Sequence, residues 1–233
     1  MIIGILDGRL EDVIAMGRGL VQAAGEAGAP GYTVRTRTLM IMPYIHLGLS
    51  RSTLDSESPF DTPLMIPYKA WLLAHAGDTA VARSLLDKWQ AGLTKGQLAI
   101  EVPAMLVLAM LEAATMLEER EIAAKLASAV ECLSSVTLVP HHLACPARYL
   151  AAASALLGDP VQAEAYYQQA ASLCGKIRFR PEIALTRLGL AELLLEHYPS
   201  RRAEAIAHLD FAIEEFRAMK MAPSLELALK HKN

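Results

Sequence analysis

Apolar and polar positions alternate with helical periodicity along almost the whole chain. The clearest stretch is Pro181 to Pro223, PEIALTRLGLAELLLEHYPSRRAEAIAHLDFAIEEFRAMKMAP. It holds two amphipathic patterns joined by Tyr198-Pro199-Ser200, which predicts an antiparallel helical hairpin. In the second pattern Ala205, Leu209 and Ala212 stand at i, i+4 and i+7, so they share one helix face of alternating small and large side chains. The same face recurs upstream as Ala163, Tyr167, Ala170, then as Ala123, Ala127, Val130, then as Ala82, Leu86, Trp89. The leading alanines are 42, 40 and 41 residues apart. A fixed period of that size, built from helix pairs, predicts an all-α fold without β-sheet: an α-solenoid of antiparallel hairpins, stacked as a right-handed superhelix, each burying its apolar face against its neighbours.

Taken in order, Gly8 to about Ala27 reads as a second helix, with Val13, Gly17 and Leu20 in the face positions. Its first helix is missing, so the chain reads as beginning inside a longer array. After the turn Gly28-Ala29-Pro30-Gly31, residues Tyr32 to Leu49 predict a long helix kinked at Pro43. Ser50 to Thr62 holds at most a short helix. Thr62 and Pro63 read as N-cap and first helical residue of a helix to Ala76, and Gly77-Asp78-Thr79 turns it into Ala80 to Gly92. A third hairpin pairs Glu101 to Leu117 with Glu119 to Ser135, opening either at a Thr94–Gln97 capping box or at Pro103. Val136 to Cys145 is a connector, Pro146 starts the next helix, and Gly158-Asp159-Pro160 ends it and caps Val161 to Gly175. Ser224 to Lys232 forms a short closing helix. The division is therefore one repeat domain over 1–233, with irregular repeats in 1–60, regular hairpins in 61–220 and a closing segment in 221–233.

Composition narrows the function classes. Of 233 residues 53% are hydrophobic and 20% charged, and the mean hydropathy of +0.28 comes from Ala and Leu in helical register. The best apolar run, Val102 to Leu111, lies between Glu101 and Glu112 and falls short of the roughly 18 residues a membrane span needs. MIIGIL lacks a basic leader and reaches Asp7 too soon for a signal peptide. The chain reads as cytoplasmic. A net charge of -3 provides no basic field for nucleic acid. Cys132, Cys145 and Cys174 are odd in number and contain no C-x-x-C pair, which fits a reducing compartment.

The small-large-small face, Leu188-Gly189 and Leu150-Ala151 on the preceding helices, and the end-of-repeat Pro181 and Pro223 resemble the tetratricopeptide family. The period is longer than that family's usual 34 residues, and its first-helix Trp is absent. ARYLAAASALLGDPVQAEAYYQQAASL with the reference hairpin resembles the C-terminal repeat region of MalT-like, LuxR-type regulators and of adenylate-cyclase proteins sharing their architecture. That likeness covers about residues 60 to 230. It implies a sensor or scaffold portion of a bacterial signalling protein. The family's P-loop has no counterpart here, since G-x-x-x-x-G-K-[ST] is missing, and neither has its basic recognition helix.

No H-E-x-x-H, G-x-S-x-G or dinucleotide fingerprint appears either. The chain is therefore expected to be non-catalytic and without a cofactor or metal. Cys132, His141, His142 and Cys145 are metal-capable but match no ligand spacing, and Cys145 with His141 or His142 as base is the one improvised hydrolase reading. His75, His197 and His208 read as isolated packing or surface residues.

In tetratricopeptide arrays the first helices line the concave side, which nominates Arg148, three residues before Ala151, with Tyr149 beside it. His141 and His142 lead into the same helix, and Arg178, Arg180 and Arg187 cluster near the start of the next. Two readings follow. The arginines form a basic strip for an acidic peptide, a carboxylate or a phosphate, or they bridge to Glu164, Glu182 and Glu192 on neighbouring helices. On the first reading, Arg148→Ala and Arg187→Ala weaken binding and leave the melting temperature unchanged. The function expected is an interaction or sensor module for a protein or peptide partner, with a small-molecule receptor as the alternative. A closed pocket of a few hundred cubic ångströms would favour the small molecule, an open channel the peptide. A homodimer is expected, because a solenoid exposes apolar end faces that need covering.

Overall fold

The computed structural model describes residues 1–56, 65–92, 103–137 and 143–232, and within them every regular element is helical. The α-helices are α1 (Ile2–Leu6), α2 (Leu10–Glu26), α3 (Pro30–His46), α4 (Ser50–Ser56), α5 (Ile66–His75), α6 (Thr79–Gly92) and α7 (Ala104–Met116). They continue as α8 (Arg120–Val130), α9 (Pro146–Leu157), α10 (Pro160–Ile177), α11 (Arg180–His197), α12 (Arg202–Met219) and α13 (Ala222–Lys232). Short 3-10 turns at Glu131–Leu133 and Pro199–Arg201 follow α8 and precede α12. Among the described residues no helix is long and apolar enough to cross a membrane. The expected Thr62–Pro63 start and the Thr94–Gln97 box fall outside the described residues.

Local sequence explains the boundaries. Pro146, Pro160 and Pro181 sit in the first turns of α9, α10 and α11, where a missing N–H costs nothing. Asp159 caps α10 by accepting the Gln162 N–H at 3.0 Å. Gly77 (φ 81°) and Gly158 (φ 89°) end α5 and α9 in the left-handed region, and Glu118 (φ 58°) does the same after α7 despite its side chain.

Each helix packs on its chain neighbour, so α5–α6, α7–α8, α9–α10 and α11–α12 form antiparallel pairs, and α5, α7, α9 and α11 pack successively on one another. Ala163, Ala170, Ala205, Leu209 and Ala212 lose all solvent contact. The face is displaced upstream: α8 buries Ile122, Ala123, Leu126 and Val130 while Ala127 is only half-buried, and Trp89 is half-buried beside a buried Leu86. A helical stripe is about 100° wide, so a neighbour one position away can take the central place. In α2, Val13 and Gly17 are buried as expected, but Leu20 is 46% exposed. Polar contacts between hairpins repeat at nearly constant spacing. Arg83–Glu119, Arg148–Glu112, Arg148–Glu182 and Arg201–Glu164 join residues 36, 36, 34 and 37 apart, and Arg180–Glu215 ties the two helices of the α11–α12 pair across 35 residues.

Two expectations for the N-terminal region change. The first helix is not wholly missing, because the five-residue α1 precedes α2, buries Ile5 and packs on both α2 and α11. The two ends of the chain also meet. Arg180 donates to the Asp7 carbonyl at 3.1 Å, Lys220 pairs with Glu11, and α13 packs on α3. Gly8 (φ 74°) lies so close to Met219 that a Cβ there would overlap its sulfur, at 2.2 Å.

Candidate functional site

Helix α7, AMLVLAMLEAATM, carries one charged residue, Glu112, and the packing of α5, α7, α9 and α11 brings it to Arg148 of α9. The Arg148 guanidinium meets Glu182 through two bonds, Nε to Oε2 at 2.7 Å and Nη2 to Oε1 at 3.2 Å. A third runs from Nη1 to Glu112 Oε1 at 3.3 Å. Arg148 is 8% exposed and Glu182 fully buried. A planar fork matched to a carboxylate is the geometry in which a buried arginine loses least. Glu182 also accepts the backbone N–H of Cys145, so one carboxylate both pairs Arg148 and satisfies the N-terminus of α9. The ring of Tyr149 lies under the guanidinium, 4.2 Å from its carbon to the centroid.

Charge states follow from these partners. Burial works against the charge on Arg148, but Glu182 and Glu112 hold its pKa well above the ordinary value. Burial alone would raise the Glu112 carboxyl, yet Arg148, with His75 and His46, brings it below the usual carboxylate value. Glu182 moves the other way, raised by complete burial more than Arg148 lowers it. The two carboxylates share one guanidinium and shift oppositely because the Glu182 side chain has no exposed surface, whereas Glu112 retains 16% and faces two histidines. Burial, reinforced by Arg148, lowers His75, leaving it neutral.

This cluster forms one wall of a cavity of about 500 Å³. The cavity collects side chains from the first helices of successive pairs, His75 of α5, Glu112 of α7, Arg148 and Tyr149 of α9, Leu188 and Glu192 of α11, and is closed on one side by Pro223 and Leu227 of α13. Tyr167 of α10 reaches it across Gly189, where a Cβ would stand 2.4 Å from the phenol oxygen. Three buried polar atoms of the lining have no hydrogen-bond partner: Glu112 Oε2, His75 Nε2 and the Tyr149 hydroxyl. Burial raises Glu192, while His231 of α13, at 2.8 Å, lowers it.

Of the residues nominated from sequence, Arg148 and Tyr149 line this cavity. The basic strip is not assembled. Arg187 turns to α12, with Nη1 2.8 Å from His208 Nδ1 and its guanidinium over Phe211. Arg180 forks onto Glu215 at 2.9 and 3.2 Å. Arg201 bonds Glu164 at 2.9 Å, and Arg178 is exposed at the end of α10. The bridging alternative describes Arg148 through Glu182. His141 and His142 lie outside the described residues. Cys132 is exposed, whereas Cys145 is fully buried and its thiol meets Cys174. The hydrogen bond to Cys145, together with burial, pushes the Cys174 thiol up. No group of three His, Cys, Asp or Glu among the described residues could hold a metal ion.

Sequence reasoning missed Glu112, His75, Glu192 and Tyr167 as a set. The usable signal was Glu112, a lone charge in an apolar helix, followed 36 residues later by Arg148 and, 34 further on, by Glu182. Comparison with protein-family models, with curated proteins and with solved structures found no match.

Proposed function

We propose that this chain is a non-catalytic binding module of tetratricopeptide-like helical repeats, acting as the sensor or scaffold part of a signalling protein. The observation that carries this reading is the cavity of about 500 Å³ built from the first helices of successive hairpins. Its volume falls in the range of small-molecule sites, roughly 300–1,000 Å³, so the small-molecule receptor gains weight over the extended-peptide groove. The near-constant 34- to 37-residue spacing of contacts between hairpins supports the solenoid arrangement, because stacked units contact their neighbours in one register. Arg148, the cation of the cavity lining, is already matched by carboxylates. The homodimer reading is supported by the apolar face of α1, α2 and α3, where Ile3, Met16, Leu20 and Tyr32 are exposed.

An unbiased thermal-shift screen of metabolites and short peptides tests the reading, because a ligand of the native state raises its melting temperature. The hit should stabilise the parent and lose that effect in Ala152→Trp, which fills the cavity. Stabilisation that survives the filling, or no hit at all, counts against a cavity receptor.

A further inference from the structure

Three carboxylates line the cavity, Glu112, Glu192 and Glu196. Against them stands one cation of the lining, Arg148, which is shared between Glu182 behind the wall and Glu112 Oε1, so the cluster of two carboxylates and one guanidinium keeps an excess negative charge. His75 contributes no charge, since burial keeps it neutral, and His231 reaches Glu192 from outside the lining. The cavity field is therefore negative, and an entering anion would meet unscreened like charge in a partly desolvated space. Ala152, Ala155, Leu185, Leu188 and Leu193 give the wall a nonpolar stretch that favours an apolar body. The Tyr149 ring is already taken by Arg148, which leaves the ring of Tyr167 as the electron-rich surface of the lining for a cation. The Tyr149 hydroxyl and Glu112 Oε2 are unpartnered at this wall. Glu112 Oε2 accepts, and the Tyr149 hydroxyl can accept as well as donate, so the N–H groups of an ammonium find partners here that a quaternary one would leave unused.

Resting on the binding-module reading, we propose that the cavity takes a small molecule with a protonated primary or secondary amine on an apolar body. The amine faces the Glu112 and Glu192 side of the wall, and the body lies along Leu188 and Leu193.

Isothermal titration of the full chain with phenethylamine, 3-phenylpropanoate and 3-phenylpropan-1-ol tests this, with methyl NMR shifts of Leu188 and Leu193 locating each probe. The amine should bind about tenfold or more tightly than the other two, as a charge-assisted contact requires, and weaken as salt rises. The pair Glu192→Gln and Glu196→Gln, which leaves the Arg148 cluster untouched, should reduce amine affinity severalfold while retaining the melting temperature. Equal or tighter binding of the carboxylate or alcohol at these methyls overturns the amine assignment and leaves the cavity receptor standing. Silence of all three probes overturns it as well, and the receptor reading falls with it only if hits from the unbiased screen also fail to shift these methyls.

Discussion

Arg148→Met removes the cation that forks onto Glu182, a side chain with no exposed surface. Breaking one partner of a buried pair costs about 3–5 kcal/mol, because the surviving charge is stranded. A second route gives a similar figure. A stranded Glu182 can escape its charge by taking up a proton, and holding that proton at about pH 7 against the ordinary value of 4.5 costs roughly 3 kcal/mol at about 1.36 kcal/mol per unit. Glu112 loses one bond but keeps some solvent access, so its share is smaller. For a domain of this size each kcal/mol moves the melting temperature by about 2–4 °C, so the variant should melt roughly 6–20 °C lower. This replaces the sequence-based expectation that losing Arg148 spares stability. The pH dependence carries a definite sign. The folded pKa of Glu182 lies above its unfolded value and rises further in the variant, so its stabilising term is present at low pH and lost as pH rises. The deficit relative to the parent should therefore shrink between about pH 7 and pH 5. Adding Glu182→Leu should recover most of the loss, since an apolar pair of similar volume tolerates burial better than a lone charge. Thermal and urea melts of parent, single and double variants measure this. A single variant melting within about 2 °C of the parent would refute the buried-pair account.

Gly189→Ala should cost about 1–3 kcal/mol, because its Cβ would lie 2.4 Å from the Tyr167 oxygen and 2.6 Å from the ring; Tyr167→Phe should relieve only part of this, and an unchanged melt for Gly189→Ala would refute the close approach. Ala205→Leu, at a fully buried face position, should cost about 1–3 kcal/mol by overpacking, and parent-like melting would mean the face is misassigned. His75 has a folded pKa below its ordinary 6.5, so its contribution is complete above that pH and lost as pH falls. His75→Gln should accordingly flatten the decline in melting temperature between about pH 7 and pH 5, although His208, lowered for the same reason of burial, retains part of the slope. Identical profiles for parent and variant would remove His75 from the account.

Many of the helices were legible from punctuation in the sequence: prolines at first turns, glycines at several left-handed ends and small residues on the buried face. The C-terminal half, from Pro146 onward, follows those signals closely, since Ala163, Ala205 and Ala212 are each fully buried. The N-terminal part follows them less well. There α1 is too short for a period to register, and its packing depends on α11, a helix far away in the chain. At the candidate site, position was legible and chemistry was not. Arg148 could be placed on the cavity side by its offset from Ala151, and Tyr149 only as its neighbour, with packing into the core as the alternative. Nothing local to Arg148 told that Glu182 would fork onto it, because that pairing depends on the register between hairpins and on complete burial. The sequence therefore left two readings of the arginines open, an anion-binding strip or bridges to Glu164, Glu182 and Glu192, and for Arg148 the fork with Glu182 decides between them. Glu192 offers the converse case: it was noted as a bridge for an arginine, yet it lines the cavity and meets His231 of α13.

The most direct test of the central claim is a methyl chemical-shift map of the full chain, recorded with and without the strongest hit from the unbiased screen. The account predicts saturable shifts concentrated on Met116, Leu188, Leu193 and Leu227, which surround the cavity, and their loss in Ala152→Trp. Shifts confined instead to the exposed face of Met16 and Leu20, with the cavity methyls unmoved at saturation, would contradict it.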